Sequence, residues 1–167
     1  PNTYTLTKSM AEVLMVLRRK KINLPLHIVR PTIIGAAFRE PIPGWIDSVA
    51  AAAAVFMAGG LGLLSVMPGN PRNVGDLIPV DHVVNHMLCA AMETFNHTSG
   101  VHVSHSSSST CNPANWRQHM MTFDHFRKFQ SPNQGGPCTF RMIKSPQQFE
   151  LEWFLRYTMP SRAYRTI

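Results

Sequence analysis

Residues 3–31, TYTLTKSMAEVLMVLRRKKINLPLHIVRP, decide the fold class. Apolar side chains recur at helical spacing through residues 3–21, which predicts an amphipathic helix. The run from Leu26 to Val29 is nearly all apolar, as in a strand buried on both faces of a parallel sheet, and Arg30-Pro31 ends it. A helix that leads into a buried parallel strand is half of an α/β repeat. The sequence therefore predicts an α/β protein.

Two stretches further along the chain extend this pattern. From Val49 to Met67 the chain is uncharged and rich in Ala and Gly. Its hydrophobicity is too weak for a membrane span, so we expect a helix that packs on the sheet or lines an apolar pocket, with a break at Gly59-Gly60. Leu77 to Val80 is then a short extended segment, and Asp81 is a suitable N-cap for a helix from His82 to about Thr94.

The last third of the chain predicts shorter elements. Residues 100–104 (GVHVS) fit a strand, and Pro113 opens a helix toward Phe129. The segment that follows is rich in Pro and Gly, as in a linker, and a final helix is expected from Gln147 to Tyr157, before Pro160. The predicted organisation is a domain at 1–130, a linker at 131–146 and the start of a helical C-terminal domain at 147–167.

Tyr4 and Lys8 are four residues apart in the first predicted helix, so both side chains lie on one face. A free tyrosine, with a pKa of about 10, is a poor acid or base at neutral pH. A nearby ammonium group stabilises the phenolate. The tyrosine can then deliver a proton to a carbonyl oxygen while hydride arrives at the carbon. The pair therefore indicates the reduction of a carbonyl group.

The chain carries a formal net charge of +7, which favours anionic partners such as a membrane surface, a nucleic acid or a phosphorylated small molecule. Nucleic-acid binding is not expected, because basic and aromatic residues are not interleaved. The three cysteines form no metal or redox motif and fit reduced thiols. His82 and His86 have a helical zinc spacing, but Val83 stands where zinc peptidases have glutamate, so no metal site is expected.

Four blocks of sequence, in order, carry a family resemblance. PNTYTLTK (1–8) is very similar to the active-site helix of the fatty acyl-CoA reductases, the male-sterility family of extended short-chain dehydrogenases. RPTIIGAAFREPIPGWIDS (30–48) is similar to the segment after their catalytic strand. GDLIPVDHVVN (75–85) and NPANW (112–116) match two further family blocks. The resemblance covers residues 1–130 and is looser beyond them.

The resemblance implies the C-terminal portion of a Rossmann-like NAD(P)-binding domain. It also implies NADPH-dependent reduction of long-chain acyl-CoA to a primary alcohol through an aldehyde. Tyr4 would be the proton donor, and Lys8 would tune it and bind the ribose of NADPH. The nicotinamide would be flanked, largely through backbone, by Pro31, Thr32, Ile33, Ile34 and Gly35. The stretch 49–67 would be a wall for the acyl chain or part of a substrate lid.

Two parts of the family pattern are absent from the sequence. There is no G-x-x-G-x-x-G loop to cradle a pyrophosphate, and the best glycine cluster, residues 59–62, follows the catalytic helix instead of preceding it. The catalytic serine expected before Tyr4 is also absent. We therefore expect an interior fragment that binds NADPH poorly, is inactive alone and has an unpaired edge at the strand 26–29.

Two other functions stay open at this point. One is a different extended short-chain enzyme, such as a sugar epimerase or a steroid dehydrogenase, against which the block Gly44-Trp45-Ile46-Asp47 argues. The other is a non-catalytic, membrane-associated remnant of a reductase. The expected location is intracellular and cytosol-facing, with the peroxisomal and endoplasmic reticulum membranes as candidates for surface association.

Overall fold

The computed structural model describes residues 2–96 and 100–164. Pro1 and residues 97–99 of the predicted domain 1–130, and residues 165–167 of the predicted segment 147–167, lie outside the described residues. The helices are α1 (Thr3–Ile22), α2 (Ala51–Gly60), α3 (Val80–Asn96), α4 (Trp116–Met120), α5 (Thr122–Lys128), α6 (Pro146–Trp153) and α7 (Met159–Tyr164), with a π-helical turn (Phe154–Thr158) between the last two. The strands are β1 (Leu26–Pro31), β2 (Ile33–Gly35), β3 (Val66–Pro68), β4 (Leu77–Pro79), β5 (Val101–Ser106) and β6 (Arg141–Ile143). The predicted fold class is confirmed: the chain is mixed α/β, with parallel strand pairs, as in part of a Rossmann-like NAD-binding domain.

The chain forms two compact units, Pro1–Ile46 with Leu77–Ser107, and Asp47–Asp76 with Ser108–Ile167. In the first unit β1 pairs in parallel with β5, and β2 pairs in parallel with β4. In the second unit β3 pairs in parallel with β6. Each described sheet therefore has two strands, and β1 is bonded along one edge within the described residues.

Strand β1 runs two residues further than the sequence predicted, through Arg30 to Pro31. Proline is tolerated there because it is the last residue of the strand, and the next N–H, of Thr32, donates to the carbonyl of Ser106 at 3.0 Å. Residues Leu26 to Val29 are half-buried rather than fully buried. The expected burial on both faces is therefore only partial in the described chain.

Helix α1 is confirmed and has clear ends. The side chain of Asn2 accepts a hydrogen bond from the Thr5 N–H at 2.9 Å, and Asn23 ends the helix in the left-handed conformation. The apolar residues whose helical spacing predicted an amphipathic helix are each more than half exposed in the described part of the chain: Leu6, Met10, Val13, Leu14 and Leu17. The helix is amphipathic, but the described residues leave much of its apolar face uncovered.

Helix α3 follows β4 without a loop, so the predicted N-cap role of Asp81 is wrong. Asp81 is already in the first helical turn, and its carboxylate accepts hydrogen bonds mainly from the N–H groups of residues 38–40. Val83 and Ala90 are buried on this helix, which packs against β1. The helix also continues two residues past the expected end, to Asn96.

The core of the second unit is aromatic. Phe123, Phe140 and Cys138 are buried together, and Val55 and Phe56 of α2 pack against them. The uncharged stretch therefore packs through α2 on α5 and on the aromatic core, which Met67 of β3 and Met142 of β6 also contact. The helix expected there is limited to Ala51–Gly60, and the later part of the stretch forms β3.

The break expected at Gly59-Gly60 is confirmed, because α2 ends there and the two glycines are its last, buried residues. A Cβ on Gly59 would lie 2.7 Å from the ring of Phe123, and one on Gly60 would lie 2.6 Å from the ring of Phe126. Small residues are required here because the helix backbone lies directly against aromatic rings.

The helix expected to open at Pro113 begins later and is divided. Asn115 is the N-cap of α4, and its side chain accepts from the Gln118 N–H while the Gln118 side chain accepts from the Asn115 N–H. This capping box fixes the start of α4 at Trp116, three residues after Pro113. The helical segment is then divided at Met121 between α4 and α5, and α5 ends at Lys128 with Phe129 as its C-cap, close to the expected end.

The segment 131–146 contains regular structure, in contrast to the expected linker. It contributes β6, which pairs with β3, and Phe140 lies in the aromatic core. The final helical segment also continues past Pro160. A π-helical turn, in which the Met159 N–H donates to the carbonyl of Phe154, precedes α7. Pro160 therefore lies in the first turn of α7, where proline is tolerated. The compact units thus differ from the predicted segments, and the domain division of a longer protein stays a prediction.

Candidate active site

The Tyr4 and Lys8 side chains meet on one face of α1, as their spacing predicts. The ammonium nitrogen of Lys8 lies 5.7 Å from the centre of the Tyr4 ring, within the range of a cation–π interaction. Tyr4 is 69% exposed, so its hydroxyl is open to a reactant. The helix N-cap at Asn2 fixes the turn that carries both residues. The pair is formed, and its catalytic role stays a prediction.

The five residues expected beside the nicotinamide lie in one extended stretch. Pro31 ends β1, Thr32 joins the strands, and the remaining three form β2. The Thr32 N–H is bonded to Ser106, and Ile33 and Gly35 lie in register with Leu77 and Pro79 of β4. Neighbouring strands therefore hold this stretch. Its assignment to the nicotinamide stays a prediction.

An ion pair missed in the sequence ties α1 to the end of β1. The Arg30 guanidinium donates to both carboxylate oxygens of Glu12, at 3.0 and 2.5 Å. The hydrogen bond from Arg30 lowers the pKa of Glu12, and Glu12 in turn raises the pKa of Arg30. The residues are 18 positions apart, with Glu12 in the middle of α1 and Arg30 near the end of β1, so no local pattern indicated the pair. The pair holds the helix that carries Tyr4 beside the strand that leads to Thr32.

A second polar group missed in the sequence connects β1, β5 and α3. The Ser104 hydroxyl lies 2.8 Å from Nε2 of His27 and 2.9 Å from Nε2 of His86. His82, four residues before His86, instead packs its ring edge-on against Phe38. The two histidines of the considered zinc spacing therefore have different partners. Among the residues placed by the structure, no cluster of His, Cys, Asp and Glu is arranged to hold a metal ion.

The loop that follows β2 is fixed by Asp81, whose side chain is buried. Its carboxylate accepts from the N–H groups of Phe38 at 3.0 Å, Arg39 at 2.8 Å and Glu40 at 3.2 Å. The bond from Phe38, followed by those from Arg39 and Glu40, holds the pKa of Asp81 well below its usual range, although burial opposes this effect. Asp81 is therefore a charged anchor for the loop, not only a helix residue.

These carboxylates predict a loss of stability in acid. Besides Glu12 and Asp81, Glu152 has a lowered pKa, mainly because it accepts a hydrogen bond from the Arg141 guanidinium. Each of the three stabilises the fold when ionised, fully so above its ordinary pKa of 4.5 for the two glutamates and 3.8 for Asp81. The urea midpoint of the chain should be constant from pH 7 to 5 and should fall as the pH drops below about 4.5. A urea midpoint that rises on acidification would contradict the hydrogen bonds and ion pairs assigned to these three carboxylates.

The residues present fit one end of a nicotinamide cofactor. Lys8 offers an ammonium donor for ribose hydroxyls, beside the exposed Tyr4 hydroxyl. The glycine cluster does not offer a phosphate cradle, because neighbouring groups occupy the space beside it. Phenylalanine rings lie against Gly59 and Gly60, and a Cβ on Gly62 would lie 2.2 Å from the carbonyl oxygen of Gly136. The described glycine cluster therefore offers no place for the pyrophosphate, and the assignment of Lys8 to the ribose stays a prediction.

The helices of the chain bear on the membrane hypothesis. Across residues 2–96 and 100–164, no helix combines the length and the apolar character that crossing a membrane requires. The uncharged stretch contributes a helix from Ala51 to Gly60 that has buried residues at both ends. Its expected role as an acyl-chain wall or lid stays a prediction.

Known proteins similar to this chain agree with the resemblance in its motifs. The model of an NAD-binding family described as "Male sterility protein" matches residues 1–87. The chain is 39% identical over 141 residues to human fatty acyl-CoA reductase 2, and 37% identical over 172 residues to a probable fatty acyl-CoA reductase 4 of Arabidopsis thaliana. It is 42% identical over 117 residues to fatty acyl-CoA reductase 1 of Xenopus laevis.

The matches cover most of this chain but a minor part of each relative. They include 80%, 100% and 70% of the chain, and 27%, 34% and 22% of the human, plant and frog proteins. The chain thus spans about a third or less of the length of these relatives. The family model covers the part with Tyr4, Lys8 and the stretch 31–35. This chain belongs to the male-sterility family, the family of the fatty acyl-CoA reductases.

Proposed function

We propose that the chain is the catalytic segment of a longer reductase that uses NADPH to convert long-chain acyl-CoA to a primary alcohol through the aldehyde. The observation that carries the proposal is the exposed Tyr4–Lys8 pair on one face of α1. Its support comes from relatives named fatty acyl-CoA reductase and from the NAD-binding family model that includes the pair.

Each residue of the pair has a distinct task in this proposal. The bound cofactor supplies hydride to the substrate carbonyl. The Tyr4 hydroxyl donates a proton to the carbonyl oxygen as negative charge develops there. The Lys8 ammonium stabilises the resulting phenolate and donates to the ribose hydroxyls. The stretch 31–35 flanks the nicotinamide through its backbone, held in place by β4 and Ser106.

The choice of NADPH and acyl-CoA also fits the charge of the chain. Both molecules carry phosphates, and a formal net charge of +7 favours their approach. Preference for NADPH over NADH is part of the proposal, and steady-state kinetics with each cofactor would measure it. Equal kcat/KM values for the two would contradict the preference without affecting the reaction class.

An assay of the full-length protein tests the proposed function. NADPH oxidation is followed with palmitoyl-CoA and, separately, with nucleotide sugars and a steroid ketone. We expect oxidation with palmitoyl-CoA and release of free CoA. Oxidation that depends on a sugar or a steroid and not on palmitoyl-CoA would instead favour another extended short-chain enzyme. Folded full-length protein that is inactive with every substrate would favour a non-catalytic remnant.

The isolated chain is predicted to bind NADPH weakly and to be inactive. It lacks the glycine-rich loop, and within the described residues β1 has a partner on one edge while the apolar positions of α1 are half exposed. Isothermal titration calorimetry with NADPH should give a Kd far above the micromolar range. Micromolar affinity of the isolated chain would contradict the prediction.

An unpaired strand edge and an uncovered helix face also predict concentration-dependent association in light scattering.

Surface association with a membrane is a separate part of the proposal. We place the protein on the cytosolic side, with the peroxisomal and endoplasmic reticulum membranes as candidates. Microscopy of the tagged full-length protein, combined with flotation on anionic and neutral vesicles, would test both statements. A diffuse distribution together with no flotation would contradict them.

A further inference from the structure

The loop 37–45, which follows β2 with one residue between, is closed at its base by two backbone hydrogen bonds. The Ala37 N–H donates to the carbonyl of Trp45 at 2.9 Å, and the Gly44 N–H donates to the carbonyl of Ala37 at 2.8 Å. Ala37 is buried, and Gly44 has a φ of 81°, which favours glycine. The loop therefore leaves the sheet and returns at nearly the same point.

A second set of bonds joins this loop to α3. Oδ1 of Asp81 accepts from the Phe38 N–H and from the His82 N–H, and Oδ2 accepts from the Arg39 and Glu40 N–H groups. All four donors are backbone N–H groups. One buried carboxylate therefore supplies the acceptors that a neighbouring β-strand would otherwise provide for this part of the loop. The bonds fix the backbone of residues 38–40 relative to the first turn of α3.

Between the anchored loop and α3 lies a cleft of about 290 Å³. Its apolar walls are Pro41 and Trp45 of the loop and Val80 and Val84 of the helix. The volume is near the lower end of ligand pockets, which hold about 300–1,000 Å³. Trp45 is 42% exposed, so its ring is available to a further apolar group. The cleft can hold a portion of an apolar chain.

The charges that line the cleft decide which part of a substrate fits. Glu40 and Asp81 are both on its wall, and two carboxylates disfavour the phosphates of CoA or NADPH. The Asp81 oxygens are already engaged by backbone N–H groups, so they are poor acceptors for sugar hydroxyls. A hydrocarbon segment carries no negative charge for the carboxylates to repel and has no hydroxyl groups that need an acceptor.

We propose that Asp81 is a positioning residue that holds the loop 37–45 so that Pro41 and Trp45 wall this cleft, and that the cleft receives part of the acyl chain of the substrate. The second half of the proposal rests on the proposed function. The first half concerns only the loop and stands on the geometry. Asp81 acts through the loop and does not touch the reacting atoms in this proposal.

Asp81→Asn is the sharpest substitution, because asparagine has nearly the same size. One carboxylate oxygen becomes an NH₂ group, which then faces two backbone N–H donors instead of accepting from them. Asp124→Asn is the matched control, since Asp124 is an exposed helix residue of α5 paired with Arg127. Hydrogen exchange and steady-state kinetics are measured on the full-length protein, and the Kd for NADPH is determined in a separate titration.

In Asp81→Asn the amides of residues 38–40 should exchange about tenfold faster or more, because each loses or weakens its acceptor. The amides of helix α5 should be unchanged. The KM for palmitoyl-CoA should rise about tenfold, the KM for octanoyl-CoA should rise less, and the Kd for NADPH should stay within about twofold. Asp124→Asn should change none of these values. A general loss of structure would raise exchange everywhere and would not separate the two acyl lengths.

Trp45→Ala provides a second test that leaves the carboxylate bonds in place. It should reduce the preference for palmitoyl-CoA over octanoyl-CoA without faster exchange at residues 38–40. In a double-mutant cycle, the Asp81→Asn effect on acyl-chain preference should shrink in the Trp45→Ala background, because both act on the same cleft. Additive effects would overturn the link between the anchor and the cleft.

The outcomes separate the inference from the proposed function. Unchanged exchange at residues 38–40 in Asp81→Asn overturns the anchor itself. Faster exchange with equal effects on both acyl lengths, or with a similar loss of NADPH affinity, overturns the acyl-chain assignment. If Asp81→Asn exchanges faster at residues 38–40 but the wild-type protein does not reduce acyl-CoA, the anchor stands and the proposed function is rejected.

Discussion

Replacing Tyr4 with phenylalanine should lower kcat for palmitoyl-CoA reduction about a thousandfold in the full-length protein, because it removes the proposed proton donor. The substitution deletes one exposed hydroxyl on the surface of α1, so the fold should be unaffected. The affinity for NADPH should change by no more than about threefold, since Lys8, the proposed ribose ligand, is unchanged. Pre-steady-state kinetics and fluorescence titration with NADPH would measure the two quantities.

Tyr157→Phe is the matched control for this experiment. The Tyr157 hydroxyl accepts from the Ser65 N–H at 2.7 Å and lies 2.9 Å from the Ser65 hydroxyl, so its role is structural. The control should lower the urea midpoint and leave kcat within about twofold. A Tyr4→Phe protein with kcat close to that of wild type would remove Tyr4 from the reaction and contradict the proposed mechanism.

Replacing Phe123 with alanine should cause the largest loss of stability, about 3–5 kcal/mol. The ring is 1% exposed and lies 4.6 Å, centre to centre, from Phe140. It also fills the space beside Gly59, so its removal opens a cavity that the backbone of α2 borders. Urea unfolding followed by far-UV circular dichroism would give the change in the free energy of unfolding.

Phe95→Ala is the control for the core substitution. Phe95 is 83% exposed near the end of α3, so its truncation should change the free energy of unfolding by less than about 0.5 kcal/mol. If Phe123→Ala were as mild as Phe95→Ala, the aromatic core would not hold the second unit together. The positions of α2, α5 and β6 would then need another explanation.

Elements with a strong local pattern could be predicted from the sequence. Helix α1, strand β1 and strand β5 were each indicated by periodicity or by a short apolar run, and their errors are one or two residues at an end. Strand β6 was missed because Pro and Gly surround it and its pairing with β3 depends on residues about 75 positions away. The end of α2 at Gly59-Gly60 was indicated by the sequence, but the rings that require glycine there lie elsewhere in the chain.

The candidate site shows the same division between local and distant information. Tyr4 and Lys8 could be placed together because a helix fixes residues four apart on one face. The bond from the Phe38 N–H to Asp81 joins residues 43 positions apart, and a capping role explained Asp81 equally well from its neighbours alone. A carboxylate that accepts from a distant loop leaves no local pattern, so only the folded chain could reveal the anchor.

The most direct test of the central claim is a product analysis with NADPH deuterated at the transferring position of the nicotinamide. The full-length protein is incubated with palmitoyl-CoA and this cofactor, and the products are examined by mass spectrometry. We predict free CoA and hexadecanol with two deuterium atoms at C1, because two successive reductions lead from the thioester to the alcohol, and neither product should accumulate in Tyr4→Phe. Unlabelled alcohol, or labelled alcohol formed equally well by Tyr4→Phe, would contradict the assignment of this chain as the catalytic segment of an acyl-CoA reductase.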